Sequence, residues 1–203
     1  MVSVNIRATR MELLGYRRRL KLSDRGYKLL KDKRDKLMAS LYPLLSEEGR
    51  KRKSIEERLS RAYEKMVTAR ARMGDRELRG TFPHAVVEES VSHENIFGIM
   101  VPVIDYRIEE RRNYSTGSLP VYAQEATEMF RDLLKELMEL AELEAKCELL
   151  AMEIEKTKRR VNALEHVLIP ELKDNIKYIE MKLEEMERGE TVNRIKLKEM
   201  KKI

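Results

Sequence analysis

The sequence has no tryptophan, only three phenylalanines, and aromatic residues make up 5% of its 203 residues, while 38% are charged. A compact globule of this length would draw on large aromatic side chains for its core, so their scarcity favours an extended helical protein. No apolar run approaches the roughly 18 residues needed to cross a bilayer. The opening "MVSVNIRATRMELL" lacks the basic-then-apolar order of a secretory signal, so a cytoplasmic chain is expected. The single Cys147 excludes an internal disulfide, and its setting "EAKCELL" offers neither a second thiol nor a nearby histidine; it reads as a residue of an apolar seam.

Chemistry is equally scarce. There is no glycine-rich phosphate loop, no Cys/His metal spacing and no nucleophile motif. His84 and His93 stand nine residues apart in a polar stretch, and His166 is alone on a helix, so all three read as ordinary loop or helix-surface residues. The many carboxylates of "ELMELAELEAKCELLAMEIEK" alternate with leucine at helical spacing, which describes a solvated face beside a seam. Acid/base catalysis also needs a pocket, and a two-stranded helical rod provides none. No catalysis, cofactor or metal is expected.

What the sequence does have is charge at both ends and periodicity between them. Residues 1–36 carry a net +8 and residues 191–203 a net +4, so within a total of +6 the middle is acidic, at −6. In the N-terminal stretch Leu13, Leu20, Tyr27 and Leu41 keep a seven-residue spacing interrupted by Arg34, with Leu30, Leu37 and Leu44 as a second row. That is the a/d pattern of a coiled coil. Pro43 and Gly49 mark a weak point, after which Ile55, Leu59, Ala62, Met66, Ala69 and Met73 resume alternate four- and three-residue steps until Gly74 and Gly80 close the helical region.

A second helix is expected to begin near Pro120, after "STGSLPVYAQEA". Its seam is Leu137, Leu140, Cys147, Leu150, Ile154, Thr157, Val161, Leu164, Leu168, Leu172, Ile176, Ile179, Leu183 and Met186. From Leu164 to Ile176 the steps are all fours, a stutter that locally unwinds a left-handed supercoil. Pro170 lies inside it, at a cost of roughly 3 kcal/mol in a helix interior. Seam contacts on both sides offset that cost, so the expectation is a kink and not a break. A helix over 121–188 would be about 100 Å long. Its natural partner is the N-terminal helix, antiparallel, with both termini forming one basic tip.

Between the helices, Ala85 to Val91 and Ile96 to Tyr106 read as short strands pairing around "SHEN", with Pro102 making the second an edge or interrupted strand. The fold class is therefore mostly α: a long antiparallel two-stranded coiled coil of N- and C-terminal helices with a small β-hairpin-containing insertion. Residues 1–80 and 121–203 form the arms, the second ending in a basic tail, and 81–120 a projecting hairpin or loop region.

The basic tip, "YRRRLK" at 16–21 with "NRIKLKEMKKI" at 193–203, suits phosphates of a nucleic acid, anionic lipid, an acidic protein collar, or mere solubility of a helix end. Only Tyr16 and Tyr27 stand among the basic residues as stacking platforms, which weakens the nucleic-acid reading. Neither tail has a strong apolar face opposite its charges, which weakens the membrane-surface one. A structural scaffold remains open.

Two stretches resemble a known family. "EIEKTKRRVNALEHVLIPELKDNIKYIEMKLEEMER" and "TRMELLGYRRRLKLSDRGYKLLKDKRDKLM" are similar to the D subunits of the V-type and A-type rotary ATPases, with "RRVNALE", the "IP" step and "IKYIEMKLEE" in register on one helix. The His166 of "EHVLIP" and the short basic tail after Gly189 are departures from that family. The resemblance implies a central rotor shaft that couples a membrane ring to ATP synthesis or hydrolysis. Its paired termini would enter a hexamer of A and B subunits, with the F subunit alongside and the C (or d) subunit at the far end. It also implies nucleotide chemistry in the partners alone, and a place peripheral to the membrane with no insertion into it.

On that reading Arg10, Arg17, Arg18, Arg19 and Lys21, with Lys196, Lys198, Lys201 and Lys202, are candidates for contact with the hexamer. Pro170 is a candidate for making the shaft asymmetric, against the alternatives that it adjusts supercoil pitch or marks where F docks. The competing readings are a basic coiled-coil scaffold and a nucleic-acid-binding protein.

Overall fold

The computed structural model describes residues 7–74, 84–111 and 121–200. In chain order these form helix α1 (Arg10–Met73), strands β1 (His84–Ile96) and β2 (Ile99–Arg111), helix α2 (Val121–Ala163), a π turn (Leu164–Leu168) and helix α3 (Ile169–Met200). Long helical arms thus flank a hairpin, as the apolar spacing implies. The chain divides into two compact units, one of Met1–Lys36 with Glu155–Ile203, the other of Leu37–Ile154.

The ends of α1 are set by local chemistry. Thr9 caps the start: its Oγ1 accepts the amide of Glu12 at 3.2 Å and its carbonyl accepts that of Leu13 at 3.0 Å. Gly74 ends it in the left-handed region, φ 80°, with its amide donating to the Arg70 carbonyl at 3.0 Å. Gly80 lies outside the described residues. The weak point expected at Pro43 and Gly49 is not a break, because α1 runs through both. Pro43 deprives the Ala39 carbonyl of its donor, but Ala39 and Pro43 are both exposed and water can satisfy that carbonyl.

In the unit 37–154, Ile55 and Ala62 of α1 pack with Leu133 and Leu140 of α2, flanked by Leu59, Met129 and Phe130. Ala69 and Ala123 continue the contact with Met66 and Met73. Tyr63 stands edge-on to Phe130, ring centres 5.7 Å apart. Outside this seam Lys51 pairs with Glu139, Arg58 with Glu136 and Lys65 with Glu125. The partner numbers fall as the α1 numbers rise, so the helices are antiparallel. In the other unit Arg10 pairs with Glu187 and Arg17 with Glu180, in the same antiparallel sense.

The hairpin differs from expectation in its turn. Strand β1 continues through "SHEN", and the chain reverses at Phe97 and Gly98 instead. Their φ angles of 52° and 87° make the two-residue turn whose twist matches antiparallel strands, and Asn95 Oδ1 accepts the Gly98 amide at 2.7 Å. The register runs from Ile96 opposite Ile99 to His84 opposite Arg111. Strand β2 is not interrupted at Pro102, which lies opposite His93. Ile104, two residues on, sends its amide out of the ladder to Glu142, so Pro102 is also at an outward-facing position where no ladder donor is lost.

The seam of the second arm also departs from the sequence pattern. Thr157, Val161, Leu172 and Ile179 are buried as expected, but Leu168 is 39% exposed and its place is taken by Ile169, 8% exposed. Leu137 and Met186 are exposed too, while Leu133 and Leu143 are buried. The inward residues step from Leu164 to Ile169 across five positions. Three successive steps of four in an α-helix would each overshoot the seam by about 40°. One wider π turn corrects the phase at once: the Ile169 amide donates to the Leu164 carbonyl, one residue further back than in an α-helix. The same turn precedes Pro170, whose ring would press on the carbonyl of His166 in a regular helix. The helix therefore passes the proline unbroken.

Candidate assembly interface: the basic helix ends and the π turn

Each candidate contact residue sits on a long helix, so its direction follows from helical phase. On α1, Leu13, Leu20, Tyr27 and Leu30 are partly buried on the inward face. Arg10, Arg17, Arg18, Arg19 and Lys21 are exposed. Two of them are already engaged: Arg10 holds Glu187 at 2.8 Å and Arg17 holds Glu180 at 2.6 Å. Arg19 lies over the Tyr16 ring, 5.5 Å from its centre. At the other end Lys196 and Lys198 are exposed on α3, whose residues 184–200 are exposed throughout. Lys201 and Lys202 lie outside the described residues.

Three basic residues of α3 pair within the helix. Lys182 meets Glu185 at 2.9 Å, and Arg188 and Arg194 approach Glu184 and Glu190 at 3.7 Å. Exposed pairs of this kind are weak and exchange readily for other partners. The structure thus brings Arg10 and Arg17 against α3, and leaves Arg18, Arg19, Lys21, Lys196 and Lys198 facing solvent.

A second feature of this surface lies outside what charge alone suggests. Met11, Leu22 and Leu29 of α1 are 85%, 72% and 70% exposed, with Leu14 beside them, on the side turned away from Leu13, Leu20 and Tyr27. Val192, Ile195, Leu197 and Met200 are likewise exposed on α3. A helix apolar on two faces has one face more than its own partner can cover. The signal is present in the sequence as the seven-residue step from Leu22 to Leu29, offset from the inner row, but the inner row accounts for the coiled coil by itself.

The π turn exposes His166 and, at 62%, Val167. Further along, Asn175 is buried in the seam, a polar residue at a position where periodicity offers only Ile176. The Thr157 hydroxyl is fully buried and has no hydrogen-bond partner among the described residues.

Electrostatics in the unit 37–154 favour structure over chemistry. Glu142 is held below the usual carboxylate range by its hydrogen bond from Lys146, reinforced by the Ile104 amide at 3.1 Å, against a smaller opposing effect of burial. For Lys51, burial acts to lower the pKa, but Glu139 and Glu47 together outweigh it and the amine is raised. Burial pushes the Cys147 thiol up, with Glu48, Glu144 and Glu47 adding to the effect, so it is a poor nucleophile. Among the described residues no group of three or more His, Cys, Asp or Glu is placed to hold a metal, and no helix is long and apolar enough to cross a membrane.

The family model for the D subunit of ATP synthase matches residues 12–199. The V-type ATP synthase D subunit of Clostridioides difficile is 41% identical, covering 98% of this chain and 93% of that protein. The protein of the same name in Thermoanaerobacter sp. is 38% identical with 98% of each covered. That of Streptococcus gordonii is 41% identical over 98% of this chain and its own full length.

Proposed function

Since this chain belongs to the family of ATP synthase D subunits, we propose that its paired basic helix ends are where it meets the catalytic hexamer of a V/A-type rotary ATPase. It is a central-stalk component of such a machine. The observation that carries this is the family match over residues 12–199, which takes in both helical arms and the hairpin between them.

Residues 1–80 and 121–203 act as the arms of the shaft and 81–120 as a projecting region. The chain is non-catalytic, and nucleotides are bound by the A and B subunits around its tip. The F subunit binds alongside, the C (or d) subunit joins the far end to the membrane ring, and the chain stays on the cytoplasmic side, peripheral to the membrane. Within the collar, Arg18, Arg19, Lys21, Lys196 and Lys198, with Lys201 and Lys202, meet carboxylates of the hexamer. Arg10 and Arg17 do so by exchanging their present partners, and the apolar residues Met11, Leu22 and Leu29 slide against the collar wall.

The mechanism needs an asymmetric shaft. In a threefold collar, one off-axis surface touches each equivalent site differently and so favours a different conformation in each by differential interaction free energy. The change of helical phase before Pro170 is a source of that asymmetry.

Reconstitution tests the reading. The chain is mixed with the A/B hexamer and the F subunit of its own organism, and co-elution and ATP hydrolysis are followed. Incorporation of one copy per hexamer with altered turnover is expected. A chain that neither enters the hexamer nor changes turnover overturns it.

A further inference from the structure

Strands β1 and β2 form a two-stranded ribbon, so each has one edge bonded to its neighbour and one edge turned away. The phase of the ladder is set by Ile104, whose amide leaves the ribbon and donates to Glu142 Oε2 at 3.1 Å. Ile104 and its partner Val91 are thus a pair whose own N–H and C=O groups point outward, as do those of every second residue along each strand.

The two outer edges are treated differently. That of β2 is partly occupied or blunted and lies toward α2: Glu142 takes the Ile104 amide, Pro102 has no amide to offer, and the side-chain hydroxyl of Tyr106 reaches the Lys135 carbonyl of α2 at 3.5 Å. On β1 the outward groups belong to Val87, Glu89, Val91 and His93, and among the described residues none pairs with them. Strand β1 is 13 residues long and exposed from Val86 to Asn95. It contains no proline and no lysine, the devices with which proteins usually protect an edge.

Charge selects the occupant. Strand β1 carries Glu88, Glu89 and Glu94 and neither Lys nor Arg, with Arg107 of β2 opposite Glu88. A second copy of β1 would bring three more carboxylates to the same edge, so self-pairing is disfavoured. A basic strand is favoured, and Val87 and Val91, which share one face and are 36% and 54% exposed, give it apolar contact.

We propose that the outer edge of β1 receives an extended segment of another protein bearing alternate Lys or Arg residues. The added strand bonds to the backbone of Val87, Glu89, Val91 and His93 and is held in place by Glu88, Glu89 and Glu94. This goes beyond the stalk reading, and its test needs no assembled enzyme.

The test uses the full chain with two short synthetic peptides, one of alternating Val and Lys and one of alternating Val and Glu. Hydrogen exchange is read at single amides. The Val–Lys peptide is expected to slow the outward amides of Glu89, Val91 and His93 about tenfold, the effect of one net hydrogen bond, and added salt is expected to weaken it. Val91→Pro removes an outward donor without touching the ladder, as Pro102 does on β2, so protection of Glu89 and His93 by the peptide is expected to be lost while the inward amides of Ser90 and Ser92 stay slow. Should that variant unfold the hairpin, the triple change Glu88→Gln, Glu89→Gln, Glu94→Gln is expected to weaken the effect of the Val–Lys peptide alone. No slowing by the Val–Lys peptide overturns the proposal. So does equal slowing by the Val–Glu peptide, or protection that rises with chain concentration when no peptide is present.

Discussion

The Ile169 amide donates to the Leu164 carbonyl, five residues back, immediately before Pro170. The two features are coupled through the seam as well as through the backbone. Returning the turn to α geometry would rotate α3 by about 100° relative to the helical turns just before it, 155–163. Ile169, Leu172 and Ile179, now 8%, 6% and 0% exposed, would leave the seam.

Burial of one such side chain is worth roughly 1.5–3 kcal/mol, against roughly 0.5–1.5 kcal/mol for one recovered hydrogen bond. Pro170→Ala is therefore expected to keep the π turn, because the sequence beyond it holds the phase. Backbone chemical shifts over 164–168 check this, and a shift to α values would assign the turn to the proline alone. Deleting Val167 in the Pro170→Ala background should give a regular α-helix with both seams in phase and an unfolding midpoint close to that of Pro170→Ala.

Leu168 and Ile169 exchange the roles that heptad counting gives them. Ile169→Ala is expected to cost about 2–4 kcal/mol and Leu168→Ala less than about 1 kcal/mol. Urea unfolding of the two variants decides it, and the reverse order would restore the unbroken four-residue spacing.

Periodicity found the arms because their leucines recur over many turns, and it found a hairpin because Val, Ile and Tyr cluster between them. It failed at Leu168 and Ile169 because two adjacent apolar residues fit the count equally well, and only the backbone bonding before Pro170 chooses between them. It misplaced the reversal because Phe97 carries a positive φ that its side chain does not advertise; Gly98 was the visible half of the turn. Among the candidate contact residues the sequence named the charges but not the pairing of Arg10 and Arg17 with α3, since nothing local relates Arg10 to Glu187 or Arg17 to Glu180.

Glu142 ties β2 to α2, and its pKa is lowered from the ordinary 4.5. A carboxyl depressed on folding contributes stability that is fully present above the unfolded value and is lost as pH falls through the folded one. Exchange at the Ile104 amide should therefore be slow at neutral pH and, after correction for intrinsic rates, lose protection below about pH 4.5. In Glu142→Gln this pH step should vanish. A step of equal size in the variant would assign it to another group.

On the proposed reading, the surface that the shaft presents to the hexamer has to hold without stopping. Ion pairs at Arg18, Arg19, Lys21, Lys196 or Lys198 would each contribute ~0–1 kcal/mol because those side chains remain hydrated. Single neutralisations, Arg18→Gln for instance, should change reconstituted ATP hydrolysis less than about twofold. The exposed apolar residues differ, since covering Met11, Leu22 and Leu29 removes area from water at every angle, with a gain that varies little as the shaft turns. The triple change Met11→Ser, Leu22→Ser, Leu29→Ser should weaken retention of the chain in the hexamer while leaving its own helix pairing intact, because none of the three faces α3. Co-elution with the hexamer and the unfolding midpoint of the isolated chain separate these effects. A large loss of hydrolysis from any one charge, with retention unaffected by the apolar triple, would make the contact an ionic latch and remove the sliding surface.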